Sequence, residues 1–106
     1  MQSAAENRIF QALVDPSRRA IFESLTRGEV AVKDLTARFD ISQPAVSQHL
    51  ATLKAAGLVS RRREGRNAFY RVDPRGMKPL FDWIAHYRAF WTEHAGRLER
   101  LLEKMD

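Results

Sequence analysis

The chain contains no cysteine. Disulfides and thiolate metal sites are therefore excluded, and the composition suits a reducing compartment. No apolar run approaches the roughly 20 residues that a membrane span needs. The opening MQSAAENRIF also lacks the charged start and apolar stretch of a secretory signal. A cytoplasmic protein with no membrane partner is expected. Glycine and proline are scarce, five and four in 106 residues, and no repeat, low-complexity tract or flexible linker interrupts the chain. There is no cysteine nucleophile, no phosphate-cradling glycine loop, and no pair of carboxylates beside a histidine. An enzyme is not expected.

A hydrophobic fraction of 44% supports a folded globule, and the length supports one core rather than two. The net charge is +5, and its location matters more than its size. Seven basic residues and two acids lie between Lys54 and Arg75, so that stretch carries the whole excess while the rest of the chain is neutral. A positive excess focused on one segment is the electrostatic footprint of a nucleic-acid binder.

Helix signals divide the chain. A first helix is expected from Ser3 to Leu13, with Ile9, Phe10 and Leu13 on one face. Asp15-Pro16 provides an N-cap and then proline at the first helical position. The second helix buries Ala20, Ile21, Leu25 and Phe22, and Gly28 ends it. Val32 to Phe39 forms a short third helix. Ser42 caps a fourth, in which Val46, Leu50 and Leu53 recur at i, i+4 and i+7 and face the core. Gln43, Pro44, Ser47, Gln48 and Ala51 fall on the opposite side, and Gly57 stops the helix. Leu58 to Arg63 and Ala68 to Asp73 read as two strands around Glu64-Gly65-Arg66-Asn67. Tyr70 and Val72 point inward; Phe69 fits either face. A final long helix is expected from Met77 to Lys104. Along it Leu80, Ile84, Tyr87, Trp91, His94, Leu98, Leu101 and Met105 alternate by four and three, the pattern of helices packed side by side.

The fold class expected is mainly α with a small β-hairpin wing: a winged helix-turn-helix with an extended C-terminal dimerisation helix. Residues 1–106 form one domain, with 32–57 the helix-turn-helix, 58–73 the wing, and 1–14 and 77–106 the dimerisation helices. An almost uncharged Ser/Gln helix edge followed by an arginine-rich hairpin suits double-stranded DNA. Glutamine and serine can bond base edges, and arginines bond phosphates. Strand alternation sends Arg62 to the face opposite Arg61 and Arg63, so Arg63 and Arg66 near the tip are the favoured contacts. Arg18 and Arg19 read as structural before they read as phosphate ligands.

The ordered segments ALVDPSRRAIFESL, VKDLTARFDISQPAVSQHLATLKAAGLV and SRRREGRNAFYRV, from Ala12 to about Asp73, resemble the ArsR-type winged helix-turn-helix repressors. WIAHYRAFW and RLERLL are similar to a subgroup without obvious metal sites. The resemblance implies a homodimeric repressor that reads an imperfect palindrome and releases it for an effector. It places Gln43, Pro44, Ser47 and Gln48 on the groove-reading edge, and Arg62, Arg63, Arg66 and Asn67 in the wing. Leu80, Ile84, Tyr87, Trp91, His94, Leu98 and Leu101 are the expected dimer contacts. Where founding members carry Cys-x-Cys in the third helix, this chain has Ala31 and Lys33. Asp82, His86 and His94, spaced by four and eight, are what it offers to a metal on the last helix, with Arg97 where a further ligand is wanted. No metal and no cofactor is expected. A metal-responsive repressor using those histidines is the alternative, as is a winged-helix protein-interaction module without a specific operator. Trp83, Phe90 and Trp91 read as packing residues, and no effector site is recognisable.

Overall fold

The structure is a computed structural model that describes residues 4–105, leaving the side chains of Ala89 and Trp91 aside. Ser3 and residue 106, at the two ends of the expected helices, lie outside the described residues, as does the Trp91 side chain expected on the seam. In chain order the elements are α1 (Ala4–Val14), α2 (Pro16–Leu25), β1 (Val30–Ala31), α3 (Val32–Arg38), α4 (Gln43–Ala55), β2 (Val59–Glu64), β3 (Asn67–Val72), α5 (Lys78–His86) and α6 (Arg88–Lys104).

The DPSRR segment joins α1 to α2 by satisfying both helix ends at once. The Asp15 carboxylate accepts from the Arg18 backbone N–H at 2.9 Å and caps α2. That bond holds its pKa below the usual carboxylate value. The two arginines turn back to the last carbonyls of α1. Arg18 Nε donates to Ala12 at 2.6 Å and Nη2 to Gln11 at 3.1 Å, while Arg19 Nη1 donates to Leu13 at 2.9 Å. These carbonyls have no partner within their own helix, so both arginines are structural.

The helix-turn-helix is α3 and α4. Ser42 Oγ accepts from the Ala45 N–H at 3.3 Å and starts α4. Its end is a Schellman motif: Gly57 N–H bonds to the Lys54 carbonyl at 2.9 Å and Leu58 N–H to Leu53 at 3.0 Å. Gly57 takes φ +81° there, a value that favours glycine. Val46, Leu50 and Leu53 are completely buried and join Ile9, Ile21, Leu25, Leu35, Leu58 and Tyr70 in one core.

The sheet has three antiparallel strands in the order β1-β3-β2. β2 and β3 form the expected hairpin, running from Val59↔Val72 to Glu64↔Asn67 about a Gly65-Arg66 turn. The expectation of a bare hairpin is corrected by β1, which pairs Val30↔Tyr70 and Ala31↔Phe69. Two residues are too short for a period-two pattern to register. Tyr70 is buried, and Val72 packs against the core.

The expected continuous C-terminal helix is also corrected. It divides at Tyr87 (φ −97°, ψ 3°), where Tyr87 N–H bonds to Ile84 three residues back at 3.2 Å. The break coincides with an aromatic relay that ties α5 to α1. Trp83 sits edge-on to Phe10 at 5.4 Å, and Tyr87 lies against Trp83 at 5.1 Å and His86 at 4.9 Å. The seam therefore does not run along one rod. Leu80 packs on its own core, and among the described residues α6 makes its substantial contacts with α5 alone.

Where α5 begins, two backbones touch. A Cβ added to Gly76 would sit 1.4 Å from the Gly57 carbonyl oxygen and 2.4 Å from its carbon. The turn after α4 and the turn before α5 thus approach too closely for any side chain at Gly76. Gly76→Ala is expected to destabilise the protein by about 2 kcal/mol, the usual cost of overpacking, read as a lower urea midpoint. An unchanged midpoint would contradict the contact.

Candidate nucleic-acid interface

Complete burial of one stripe of α4 turns its other edge outward. Gln43, Pro44, Ser47, Gln48 and Ala51 are all exposed. Pro44 sits in the first turn, where a missing N–H costs nothing. The helix carries no acidic residue, and its Lys54 is in the last turn.

Beside this edge lies one face of the wing. In β2, successive side chains alternate between faces, and the register puts Arg61 opposite Tyr70 and Arg63 opposite Ala68. Between α4, the start of α3 and the hairpin is a groove of about 410 Å³. Gln43, Ser47 and Ala51 line it from α4, and Arg61, Arg63, Arg66, Asn67, Ala68 and Tyr70 from the wing. Lys33 lines it from α3. The lining holds four cations and no carboxylate. Among the described residues none of the four cations forms an ion pair. A concave surface with unpaired guanidiniums at its rim and uncharged hydrogen-bonding groups along one wall suits a polyanion carrying readable edges.

The groove brings together Gln43, Ser47, Arg63, Arg66 and Asn67 of the expected residues. Pro44 and Gln48 are exposed on α4 but lie outside its lining. Arg62 is not part of it. On the opposite face Arg62 Nη2 and Nε donate to Glu29 at 2.6 and 3.3 Å, and Nη1 to Glu64 at 2.8 Å. Its guanidinium stacks 4.7 Å from the centre of the Phe69 ring. Bonding to Arg62 holds the Glu29 carboxyl below its usual pKa, and the two carboxylates raise that of Arg62. The groove adds two residues not singled out as contacts, Arg61 and Lys33. The alternation that separates Arg62 from Arg63 also unites Arg61 with Arg63, so that signal was present. Lys33 carried none, because its place beside α4 depends on the turn between the helices.

A larger cleft of about 580 Å³ lies between α2 and α3. Its arginines, Arg27 and Arg38, share the lining with Glu23 and Glu29, so it lacks the single sign of charge that marks the groove. On the C-terminal helices Asp82 pairs with Lys78 at 2.7 Å, and His86 lies edge-on to Tyr87. His94 stacks on Phe90, and its Nδ1 lies 2.9 Å from the Phe90 carbonyl, which makes that nitrogen the donor. Among the described residues no group of three His, Cys, Asp or Glu side chains is placed to hold a metal. No described helix is long and apolar enough to cross a membrane.

Among the described residues, six helices, a three-stranded sheet and a wing beside α4 define a winged helix-turn-helix protein. Residues 15–61 match the family described as bacterial regulatory protein, arsR family. The chain is 47% identical over 86 residues to the HTH-type transcriptional regulator Rv2034 of Mycobacterium tuberculosis, a match covering 81% of this chain and 78% of the relative. It is 32% identical to the transcriptional repressor SdpR of Bacillus subtilis, over 76% of this chain and 90% of that one. The crystal structure of an ArsR family transcriptional regulator, RHA00566, superposes with a TM-score of 0.73 at 30% identity, covering 87% of this chain and 97% of the other. The chain belongs to the ArsR family. These relatives are DNA-binding transcriptional regulators rather than enzymes.

Arg63→Ala and Arg66→Ala are each expected to lower the slope of log affinity for DNA against log salt concentration by about one, the loss of one neutralised phosphate. Fluorescence titrations at several salt concentrations measure it; an unchanged slope in both would remove the wing tip from the interface.

Proposed function

We propose that the protein is a homodimeric, metal-independent transcriptional repressor that binds a palindromic operator in the cytoplasm. The observation that carries this reading is the acid-free groove, in which four cations with no ion pair among the described residues stand beside the uncharged edge of α4. Each subunit places α4 in a major groove about 34 Å from its partner's, one turn of DNA apart. Gln43, Pro44, Ser47 and Gln48 face base edges there, with glutamine suited to adenine. Arg61, Arg63, Arg66, Asn67 and Lys33 set the register through phosphates. Residues 32–57 and 58–73 then form the reading unit.

Dimerisation falls to the first helix and residues 77–106. Phe81 and Ile84 on α5 and Leu98 and Leu101 on α6 are 54, 50, 44 and 56% exposed, and large apolar side chains left in the open on two successive helices suit a protein interface. A second copy of the chain supports the reading because a palindrome requires two recognition helices related by a two-fold axis. Repression follows when the bound dimer occupies an operator that overlaps the polymerase site. Metal independence rests on the residues themselves: Ala31 and Lys33 stand at the thiolate positions, and Asp82 is already paired.

The reading is tested by footprinting the protein on its own upstream DNA against scrambled competitor, with and without Zn²⁺. Protection of a palindrome, about 10³-fold or more preferred over scrambled DNA, is expected, with no change on adding the metal. Gln43→Ala should erode that preference. Equal binding to scrambled DNA would favour an interaction module, and release by Zn²⁺ would favour the histidine-based sensor.

A further inference from the structure

The hairpin outruns its support. β1 contributes only the rungs Val30↔Tyr70 and Ala31↔Phe69. Beyond them the pairs Arg63↔Ala68 and Glu64↔Asn67, and the Gly65-Arg66 turn, belong to a two-stranded ribbon. Such ribbons twist more freely than a sheet and have little stability alone. Arg63 and Arg66 lie on this unsupported part, so a groove that uses them needs something to fix its direction.

Arg62 stands at the last supported rung, opposite Phe69, which is itself opposite Ala31. On the face turned away from the groove its side chain reaches from β2 over β3 toward the start of β1. One side reaches Glu29, immediately before β1; the middle lies over the Phe69 ring of β3; and the third donor holds Glu64, two residues further along β2. The Glu29 contact is bidentate, through Nε and Nη2, the geometry that gives a guanidinium its directional hold. Turning Arg62 to the groove side of the sheet would take it from Glu29, Glu64 and the ring, leaving one carboxylate before β1 and one on the wing without their partner.

We infer that Arg62 is a positioning residue of the wing and not a DNA contact: its tie to Glu29 clamps the hairpin so that Arg61, Arg63 and Arg66 face α4. This rests on the reading of the groove as the DNA surface. Arg62 is half exposed, so the clamp acts in water and its effect is modest.

The test exploits a conflict of signs. Removing a carboxylate from a protein that binds a polyanion tightens binding if charge alone matters. If Glu29 serves through Arg62, Glu29→Gln instead weakens binding of the full-length protein to a duplex of its own upstream DNA. The expected loss is about threefold to fivefold, the upper part of the range of an exposed ion pair. Glu29→Asp, which keeps the charge, should recover most of it. The salt slope should stay at the wild-type value in Glu29→Gln while falling by about one in Arg66→Ala, and thermal melts would verify that each variant is folded. Glu29→Gln binding as tightly as wild type, or more tightly, overturns the inference, as does an Arg62→Ala variant whose only defect is one lost phosphate in the slope. Wild-type protein that prefers no duplex overturns the reading of the groove and the inference together.

Discussion

Val46, Leu50 and Leu53 are completely buried, and that burial sets the rotation of α4 about its own axis. A helix so held has one outward edge, which here is uncharged and hydrogen-bonding. The same core holds Leu58 and Tyr70, the residue after Gly57 at the end of α4 and the middle of β3. Because Tyr70 points in, Arg61 opposite it and Arg63 two residues on lie on the same side of the sheet, beside α4. The uncharged edge of α4 and the cationic wall beside it are thus consequences of one packing arrangement. A large-to-small change within it would cost a few kcal/mol and also loosen the angle between them.

Charge is sorted by face in a way that net charge does not convey. The hairpin's inner face keeps Arg61, Arg63 and Arg66 free of carboxylates, while the outer face spends Arg62 on Glu29 and Glu64. An arginine run that looks uniform in sequence is therefore divided between two surroundings by strand parity. The close approach of Gly57 and Gly76 brings the turn after α4 against the turn before α5.

Much of the fold was legible because its signals are local. Asp15-Pro16 and Ser42 cap helices through bonds spanning three residues, and Gly57 ends one through its own positive φ. The buried stripe of α4 follows from its period. What could not be read depends on distant partners. β1 is two residues long and exists only because β3 lies beside it. The break at Tyr87 has no glycine or proline to announce it, and it coincides with ring contacts that begin on α1. At the site, Gln43, Ser47, Arg63, Arg66 and Asn67 were brought together as the motifs implied. Arg62 was drawn away by Glu29, thirty-three positions earlier, a contact no spacing rule encodes.

The central claim, that the outer edge of α4 and the inner face of the wing form one DNA-reading surface, is most directly tested by mapping the bound surface. Isotope-labelled protein would be titrated with a duplex of its own upstream DNA while backbone amides and arginine Nε–H signals are followed. The account predicts large shifts at Gln43, Ser47, Arg61, Arg63 and Arg66, with the Arg62 Nε–H signal and the Arg27 and Arg38 cleft little changed. Shifts concentrated on that cleft, with the α4 edge silent, would contradict it.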